Sequence, residues 1–186
     1  MGEVWKWGAE VGGQSWRTAG DLGFELDRIF EVALKNCEHR DWQKPGAWND
    51  PDYIQIGYIG SARGGGLPEP CALTPTEQYS FMSLWALMAA PLFYSGDLSK
   101  LDEFTLNVLC NPEVIAVDQD PLGRQGWKVR DEGDHEVWVR PLAALVDRAR
   151  AVDAALSEIG GLSEVTGAPS ALPVISDRGV AELGWA

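Results

Sequence analysis

Apolar residues at positions 26–37 recur with the spacing of one helix face, at i, i+3, i+4, i+7, i+8 and i+11. The pattern predicts an amphipathic helix whose inward side chains are Leu26, Ile29, Phe30, Ala33, Leu34 and Cys37. Residues 53–59 change to a period of two at Ile54 and Ile56, which predicts a short strand or an extended loop.

A second helix has a complete start signal in its sequence. Thr74 can cap the helix, Pro75 suits its first position, and Glu77 completes a capping box. The helix is expected to run to about Ala90 and to end at Pro91. Its predicted core stripe consists of Phe81, Leu84, Trp85 and Met88.

Two further elements continue the alternation. Residues 92–94 predict a short apolar strand, and Asp102 is expected to cap another helix that Asn111 and Pro112 stop. Strands and helices therefore alternate through residues 15–110, which is typical of parallel βα units. Three such units cannot close an eight-stranded barrel, which takes about 250 residues. The pattern alone favours either a small open α/β sheet or a piece of a barrel.

The pattern changes after Gly126. Residues 127–130 and 136–140 predict a β-hairpin around a polar turn. Beyond about Ala143 an amphipathic helix is predicted, and the end of the chain from Gly160 is poorly patterned. The apolar positions of that last helix are Leu145, Ala149, Val152, Leu156 and Ile159.

The composition fits one domain of ordinary size with a substantial core, because the 186 residues are 45% hydrophobic and 10% aromatic. Nine Trp residues are many for this length. A Trp either packs as a large core residue or stacks on a sugar or base. The formal net charge of −13 argues against nucleic acid or an anionic membrane as the main partner, and it is compatible with a neutral sugar.

Other classes of protein are not indicated. Cys37, Cys71 and Cys110 are too widely spaced for a disulfide framework or a zinc site, and no motif predicts a cofactor. No run of about 18 apolar residues predicts a transmembrane helix. The amino terminus lacks the basic and apolar regions of a signal peptide. The compartment and the oligomeric state stay open.

Two segments combine carboxylates, tryptophan and Arg or Asn at expected strand ends, residues 12–21 and 48–53. In parallel βα folds the active site lies at the carboxyl ends of the strands. Trp16 and Trp48 can offer an apolar face to a sugar ring, while the charged groups bind hydroxyls. A pair of carboxylates can also hydrolyse a glycoside.

Each of these residues also has a purely structural interpretation. Asp21 can be no more than a helix cap, and residues 49–52 can be no more than a turn. A cation site formed by Asp50, Asp52 and Asp97 is a further alternative, although no spacing supports it.

Five motifs, in order and at matching spacing, closely resemble glycoside hydrolase family 27, the α-galactosidases (melibiases) and their α-N-acetylgalactosaminidase relatives. The resemblance covers roughly residues 4–142. The motifs are Val11-Gly12-Gly13-x-Ser15-Trp16-Arg17-Thr18-x-Gly20-Asp21, Gly46-x-Trp48-Asn49-Asp50-Pro51-Asp52, Leu84-Trp85-Ala86-x-Met88-Ala89-Ala90-Pro91-Leu92, Ser95-Gly96-Asp97-Leu98 and Asn111-Pro112-Glu113-Val114-Ile115-Ala116-Val117-Asp118-Gln119-Asp120-Pro121-Leu122-Gly123.

The resemblance implies hydrolysis of terminal α-D-galactosyl residues by a retaining mechanism with two aspartates and no metal or cofactor. Asp21 matches the acid/base aspartate. Arg17 and Asp52 match residues that bind the sugar, and Tyr53 matches a residue that lines the pocket. Asp50 matches a structural partner of this site. The implied ligand is an α-galactoside, either a small molecule or an oligosaccharide.

The implied fold is α/β, a (β/α)8 TIM barrel followed by an antiparallel β-domain. The motifs resemble the last three βα units and the first hairpin of that β-domain. The expected division is a partial catalytic barrel at 1–123, the start of the β-domain at 124–142, and a divergent tail at 143–186, helical and then irregular.

The family's nucleophile lies in a Lys-x-Asp motif at an earlier strand. Here Lys100-Leu101-Asp102 has that spelling, but it opens a predicted helix. We therefore expect the isolated chain to lack the nucleophile and to be inactive as a hydrolase. The alternative is a non-catalytic sugar-binding remnant or an inactive fragment.

Overall fold

Parallel chain segments linked by helices form the centre of the fold. The computed structural model describes residues 2–60, 68–133 and 135–145. Its helices are α1 (Val4–Trp7), α2 (Leu26–Cys37), α3 (Pro75–Met88), α4 (Glu103–Leu109) and α5 (Pro112–Asp118). Its strands are β1 (Ser15–Arg17), β2 (Trp48–Asp50), β3 (Tyr58–Ile59), β4 (Glu69–Pro70), β5 (Trp127–Glu132) and β6 (His135–Val139).

Strands β1 and β2 pair in parallel, and α2 is the crossover between them. The register joins Ser15 to Trp48 and Arg17 to Asp50. After β2 the chain makes one parallel bridge, between Ile54 and Tyr94, and α3 lies between these two residues in sequence. The strand–helix alternation predicted from the sequence is confirmed, although the strand predicted at 92–94 is reduced to this single bridge.

Helix α2 has the predicted bounds and buries Ile29, Val32, Ala33 and Asn36. One inward position is wrong: Leu34 is 36% exposed, because α2 contacts its neighbours through a narrower face than the apolar pattern suggests. The buried Asn36 is satisfied by the hydroxyl of Thr18, which follows β1 and donates to the Asn36 amide oxygen. This bond ties α2 to the sheet.

Helix α3 begins with the predicted capping box. The Thr74 amide donates to Glu77 Oε2 over 2.7 Å, the Glu77 amide donates back to Thr74 Oγ1 over 3.4 Å, and Pro75 takes the first position. The helix contacts α2, α4 and α5. It is therefore buried on several sides, and its buried apolar residues are Phe81, Met82, Leu84, Trp85, Ala86 and Met88.

The Asn111-Pro112 pair does more than stop a helix. Helix α4 begins at its predicted cap, where Asp102 Oδ1 accepts from the Thr105 amide over 2.7 Å. It ends before Asn111, and the same Asn111 then caps α5, accepting from the Val114 amide over 3.1 Å. Pro112 fits the first position of α5 because no N–H is needed there. The sequence interpretation missed this second helix.

The predicted hairpin is confirmed as antiparallel strands β5 and β6. Just after β6, the buried Arg140 joins the hairpin to the helices. Its guanidinium donates to the carbonyl oxygens of Ala86 in α3, Asp118 in α5 (3.0 Å) and Arg124 (2.9 Å). Ala86 and Asp118 lie near helix carboxyl ends, where a cation is favourable. The helix predicted after Ala143 and the tail from Gly160 lie almost wholly outside the described residues.

The cysteines Cys37, Cys71 and Cys110 are free thiols. None of the helices in the described part of the chain has the length and apolar character needed to cross a membrane.

The carboxyl group of Asp118 lies in the interior at the end of α5. Burial raises its pKa from 3.8 to about 6, against the opposing effects of the Gln119 hydrogen bond and the Arg140 charge. The Asp118 Oδ1 atom is buried without a hydrogen-bond partner among the described residues. The ionised form is therefore disfavoured in the folded state.

Replacing Asp118 with Asn is expected to stabilise the chain above pH 6, by about 1–3 kcal/mol, since it removes a buried charge. The gain should shrink as the pH falls from about 6 through 3.8 and be nearly lost at about pH 3, where Asp118 is mostly protonated in both the folded and the unfolded state. Urea unfolding at about pH 3 and about pH 7.5 measures this, and Asp41→Asn, a change in a side chain that is 90% exposed, is the control. An equal gain in unfolding free energy at both pH values would contradict the conclusion that the buried charge of Asp118 is destabilising.

Candidate active site

The candidate site lies where β1 and β2 end. Arg17 is the last residue of β1 and pairs in register with Asp50, the last residue of β2. Because the strands are parallel, the residues that follow them emerge at one edge of the sheet. This edge brings together Asp21, which follows Arg17 by four positions, and Asp52, which follows Asp50 by two.

The Arg17 guanidinium joins the two segments. Its Nη2 atom lies 2.8 Å from Asp52 Oδ2 and 3.8 Å from Asp21 Oδ1. The same nitrogen donates to the Gly20 carbonyl oxygen over 2.8 Å. Its Nε is buried and has no hydrogen-bond partner among the described residues. Arg17 is thus bound closely to Asp52 and lies near the open carboxylate of Asp21.

Asp52 is buried, with 7% of its surface exposed, and both oxygens of its carboxylate accept hydrogen bonds from the chain. Oδ2 accepts from the Leu22 amide over 2.8 Å as well as from Arg17, and Oδ1 accepts from the Tyr53 amide over 2.8 Å. Three charge-assisted bonds of this kind compensate the cost of burying the charge. Asp52 is therefore the fixed centre of the site.

Asp21 is the opposite case, because its side chain is 92% exposed. Its carbonyl oxygen accepts from Arg28 Nη2 over 3.2 Å, which ties the loop to α2 and leaves the carboxylate open. The structural interpretation of Asp21 as a helix cap is wrong, since the cap position of α2 is Glu25. The Asp21 carboxylate is therefore reachable from solvent, on a loop that is tied to α2.

Asp50 supports Asp52 from the end of β2. Its Oδ1 accepts from the Asp52 amide over 2.9 Å. Burial raises the pKa of the Asp50 carboxyl, partly offset by this hydrogen bond and by the Arg17 charge. Segment 49–52 is therefore more than a solvent-exposed turn. Asn49 is fully buried, and its side chain bonds Trp16, His39 and Gln125.

Tyr53 presents an open aromatic face beside Asp52. Tyr53 is 50% exposed, and its ring makes an edge contact with that of Phe93, a residue that is 49% exposed, at 6.5 Å between ring centroids. Phe93 is brought here by the bond from the Ile54 amide to its carbonyl oxygen. Sequence reasoning missed Phe93, because its segment gave only an apolar strand signal.

The two tryptophans predicted to stack on a sugar, Trp16 and Trp48, do not face this cluster. Trp16 is 6% exposed, and its Nε1 donates to Asn49 Oδ1 over 2.9 Å, so the ring packs inside the protein. Trp48 lies at the other end of β2, where it lines a cavity of about 330 Å³ with Pro45, Pro91 and Asp118. The structure thus brings Arg17, Asp21, Asp52 and Tyr53 together and places both Trp residues elsewhere.

No metal centre is formed by the described part of the chain. It contains no group of three or more His, Cys, Asp or Glu side chains arranged to hold a metal ion. Asp97, the third member of the cation alternative, instead caps a 3-10 turn by accepting from the Ser99 amide over 2.9 Å.

Fold and site together define a mixed α/β protein with a carboxylate–arginine cluster at the strand ends. Residues 12–120 match the family model described as alpha galactosidase A (melibiase). The chain belongs to this family, glycoside hydrolase family 27.

Named relatives agree with the family assignment. The chain is 42% identical to alpha-galactosidase 2 of Arabidopsis thaliana over 74% of its own length and 31% of the relative's. It is 36% identical to human alpha-galactosidase A, over 85% of this chain and 32% of the relative. A family 27 β-L-arabinopyranosidase from Geobacillus stearothermophilus, solved with arabinose, superposes with a TM-score of 0.60 at 33% identity, over 72% of this chain and 31% of that one. The chain spans about a third of the length of these relatives.

Replacing Asp52 with Ala is expected to cost about 3 kcal/mol of unfolding free energy, because it leaves Arg17 and two main-chain amides without their acceptor. Replacing Asp21 with Ala, the matched control, should change stability by less than about 0.5 kcal/mol because its carboxylate is exposed. Urea unfolding followed by far-UV circular dichroism compares them. Equal costs for the two variants would show that Asp52 is not the fixed centre.

Proposed function

We propose that this chain carries the acid/base and sugar-binding part of an α-galactosidase-type hydrolase, which removes terminal α-D-galactosyl residues with retention. The observation that carries the proposal is the Arg17 guanidinium held between a buried Asp52 and an open Asp21. Membership of a family whose relatives are named α-galactosidases supports the same reaction.

Asp21 is the proposed acid and then base. Its exposed carboxyl would protonate the leaving oxygen of the glycoside and afterwards take a proton from the attacking water. Arg17 lies beside it, with its Nη2 atom 3.8 Å from Asp21 Oδ1, and its guanidinium is proposed to bind a sugar hydroxyl there.

Asp52 is proposed to bind the sugar and to orient Arg17. It does not serve as the nucleophile in this proposal, because Arg17 and the Leu22 and Tyr53 amides hold its carboxylate in the chain. Its Oδ1 atom accepts from the Tyr53 amide and keeps a second acceptor site, which is proposed to take a sugar hydroxyl. Retention needs a second carboxyl about 5–5.5 Å from the acid. We propose that this nucleophile belongs to an earlier strand of the full barrel and not to these 186 residues.

One open aromatic ring beside the cluster completes the proposed sugar site, and two tryptophans support it indirectly. Tyr53 presents its open ring to the apolar side of the sugar. Trp16 and Trp48 contribute indirectly, Trp16 by holding Asn49 at the sheet and Trp48 by packing at the far end of β2.

The proposed domain division follows the family fold. Residues 1–123 would be the last three βα units of the barrel, residues 124–142 the start of the β-domain, and residues 143–186 a divergent tail. The parallel pairing of β1 with β2 and the Ile54–Tyr94 bridge support the first part, and the β5–β6 hairpin supports the second.

A second candidate is a non-catalytic sugar-binding remnant or an inactive fragment. The observation behind it is that the described residues hold the Arg17–Asp52 pair and the open Tyr53 ring, which could bind a sugar without a second catalytic carboxyl. The two candidates differ in what precedes Met1 in the gene. An upstream reading frame that encodes a strand ending in Lys-x-Asp would support the first candidate, the hydrolase.

The purified chain alone is expected to give no turnover of an aryl α-galactoside above the buffer blank, because it has one carboxyl of the pair. It is expected to bind galactose at millimolar concentration, measured by chemical-shift changes in ¹H–¹⁵N spectra. Arg17→Ala should abolish these changes, whereas Arg130→Ala, a hairpin arginine that is 58% exposed, should keep them. Turnover that is lost in Asp21→Ala would contradict the absence of the nucleophile, and no response to galactose would leave only the inactive fragment.

A further inference from the structure

Asp52 has a backbone conformation that side chains rarely adopt. Its φ is 135°, and the other described non-glycine residues with positive φ are Glu3 and Ala89, both at helix ends. Such a conformation costs of order 1–3 kcal/mol and persists only where its surroundings hold it. Something must therefore hold Asp52 in place.

Two side chains hold the main chain of Asp52, one on each side. Asp50 Oδ1 accepts from the Asp52 amide over 2.9 Å, and Trp85 Nε1 donates to the Asp52 carbonyl oxygen over 2.9 Å. We call Asp50 and Trp85 the Asp52 clamp. Both polar main-chain atoms of this residue are thereby satisfied by side chains.

Both members of the clamp are themselves anchored. Trp85 is 0% exposed and packs against Phe81 with 4.4 Å between ring centroids. Asp50 ends β2, and its carbonyl oxygen accepts from the Thr18 amide over 3.1 Å across the β1–β2 pair. The clamp therefore connects the core of α3 and the sheet edge to one residue of the site.

We propose that Asp50 and Trp85 are positioning residues, which hold Asp52 in its strained conformation so that its carboxylate meets Arg17 and the Leu22 amide. The direction of the Asp52 side chain depends on its φ, and relaxation to negative φ would turn the carboxylate away from both donors. Arg17 would then lose the contact that sets it beside Asp21. The relevance to catalysis rests on the proposed function, but the clamp itself does not.

The clamp has a spectroscopic signature. Protonating Asp50 weakens it as an acceptor, so the Asp52 amide proton should shift with the titration of Asp50. The charged groups that face Asp50 are Arg17 on β1 and Asp52 itself. Titration of Asp50 is therefore visible at an amide that is distinct from its own.

The test compares Asp50→Ala with Asp50→Asn, which keeps an acceptor oxygen, and with Asp27→Ala, an exposed aspartate of α2, as control. Hydrogen-exchange protection of the Asp52 amide should fall about tenfold in Asp50→Ala and stay within about threefold in Asp50→Asn. Galactose affinity, measured by NMR titration, should fall about tenfold in Asp50→Ala and recover in Asp50→Asn.

Unchanged Asp52 protection in a folded Asp50→Ala variant would overturn the proposal. If that variant does not fold, an NMR pH titration of the wild type and of Asp50→Asn tests the clamp instead. The chemical shift of the Asp52 amide proton should follow the titration of Asp50 in the wild type. This response should be absent in Asp50→Asn. If the chemical shift of the Asp52 amide in the wild type does not change with the titration of Asp50, the clamp proposal is also overturned. If galactose does not bind the wild type, the proposed function fails while the exchange data still decide the clamp.

Discussion

The ion pair between Arg17 and Asp52 is the contact on which the candidate site depends. It joins two segments that are 35 positions apart in the chain and meet only because β1 and β2 are parallel neighbours. A buried carboxylate with fewer than its full set of donors would be costly. Asp52 is tolerated at 7% exposure because Arg17, the Leu22 amide and the Tyr53 amide all bind it.

This pairing separates the two aspartates by environment. Asp52 is immobilised by neutral and charged donors, whereas Asp21 lies near the same arginine and has an exposed side chain. A group that must exchange a proton needs access, and a group that must set geometry needs to be held. The Arg17 guanidinium lies next to both carboxylates, the buried one and the exposed one. The cluster is therefore formed by these residues themselves, although the chain spans only about a third of its relatives.

The elements that the sequence predicted well are those with local causes. The bounds of α2 follow from its apolar period, the start of α3 from the Thr74–Glu77 capping box, and the hairpin from its alternation and turn. Arg17, Asp21, Asp52 and Tyr53, which the motifs predict as site residues, lie near one another at the strand ends, and their roles stay predictions. Helix α5 was missed because Asn111-Pro112 reads equally well as a stop or a start.

By itself, then, the sequence determined the helices and turns, the family and the residue types at the strand ends, because capping, periodicity and motif spacing are local properties. Only the tertiary structure decided that Trp16 faces inward and that Trp48 lines a cavity with Pro45 and Pro91, because the motif does not show which face of a short strand is covered. It also decided the strained φ of Asp52. That conformation depends on Trp85, 33 positions away, and no local pattern encodes a contact between side chain and main chain over such a separation.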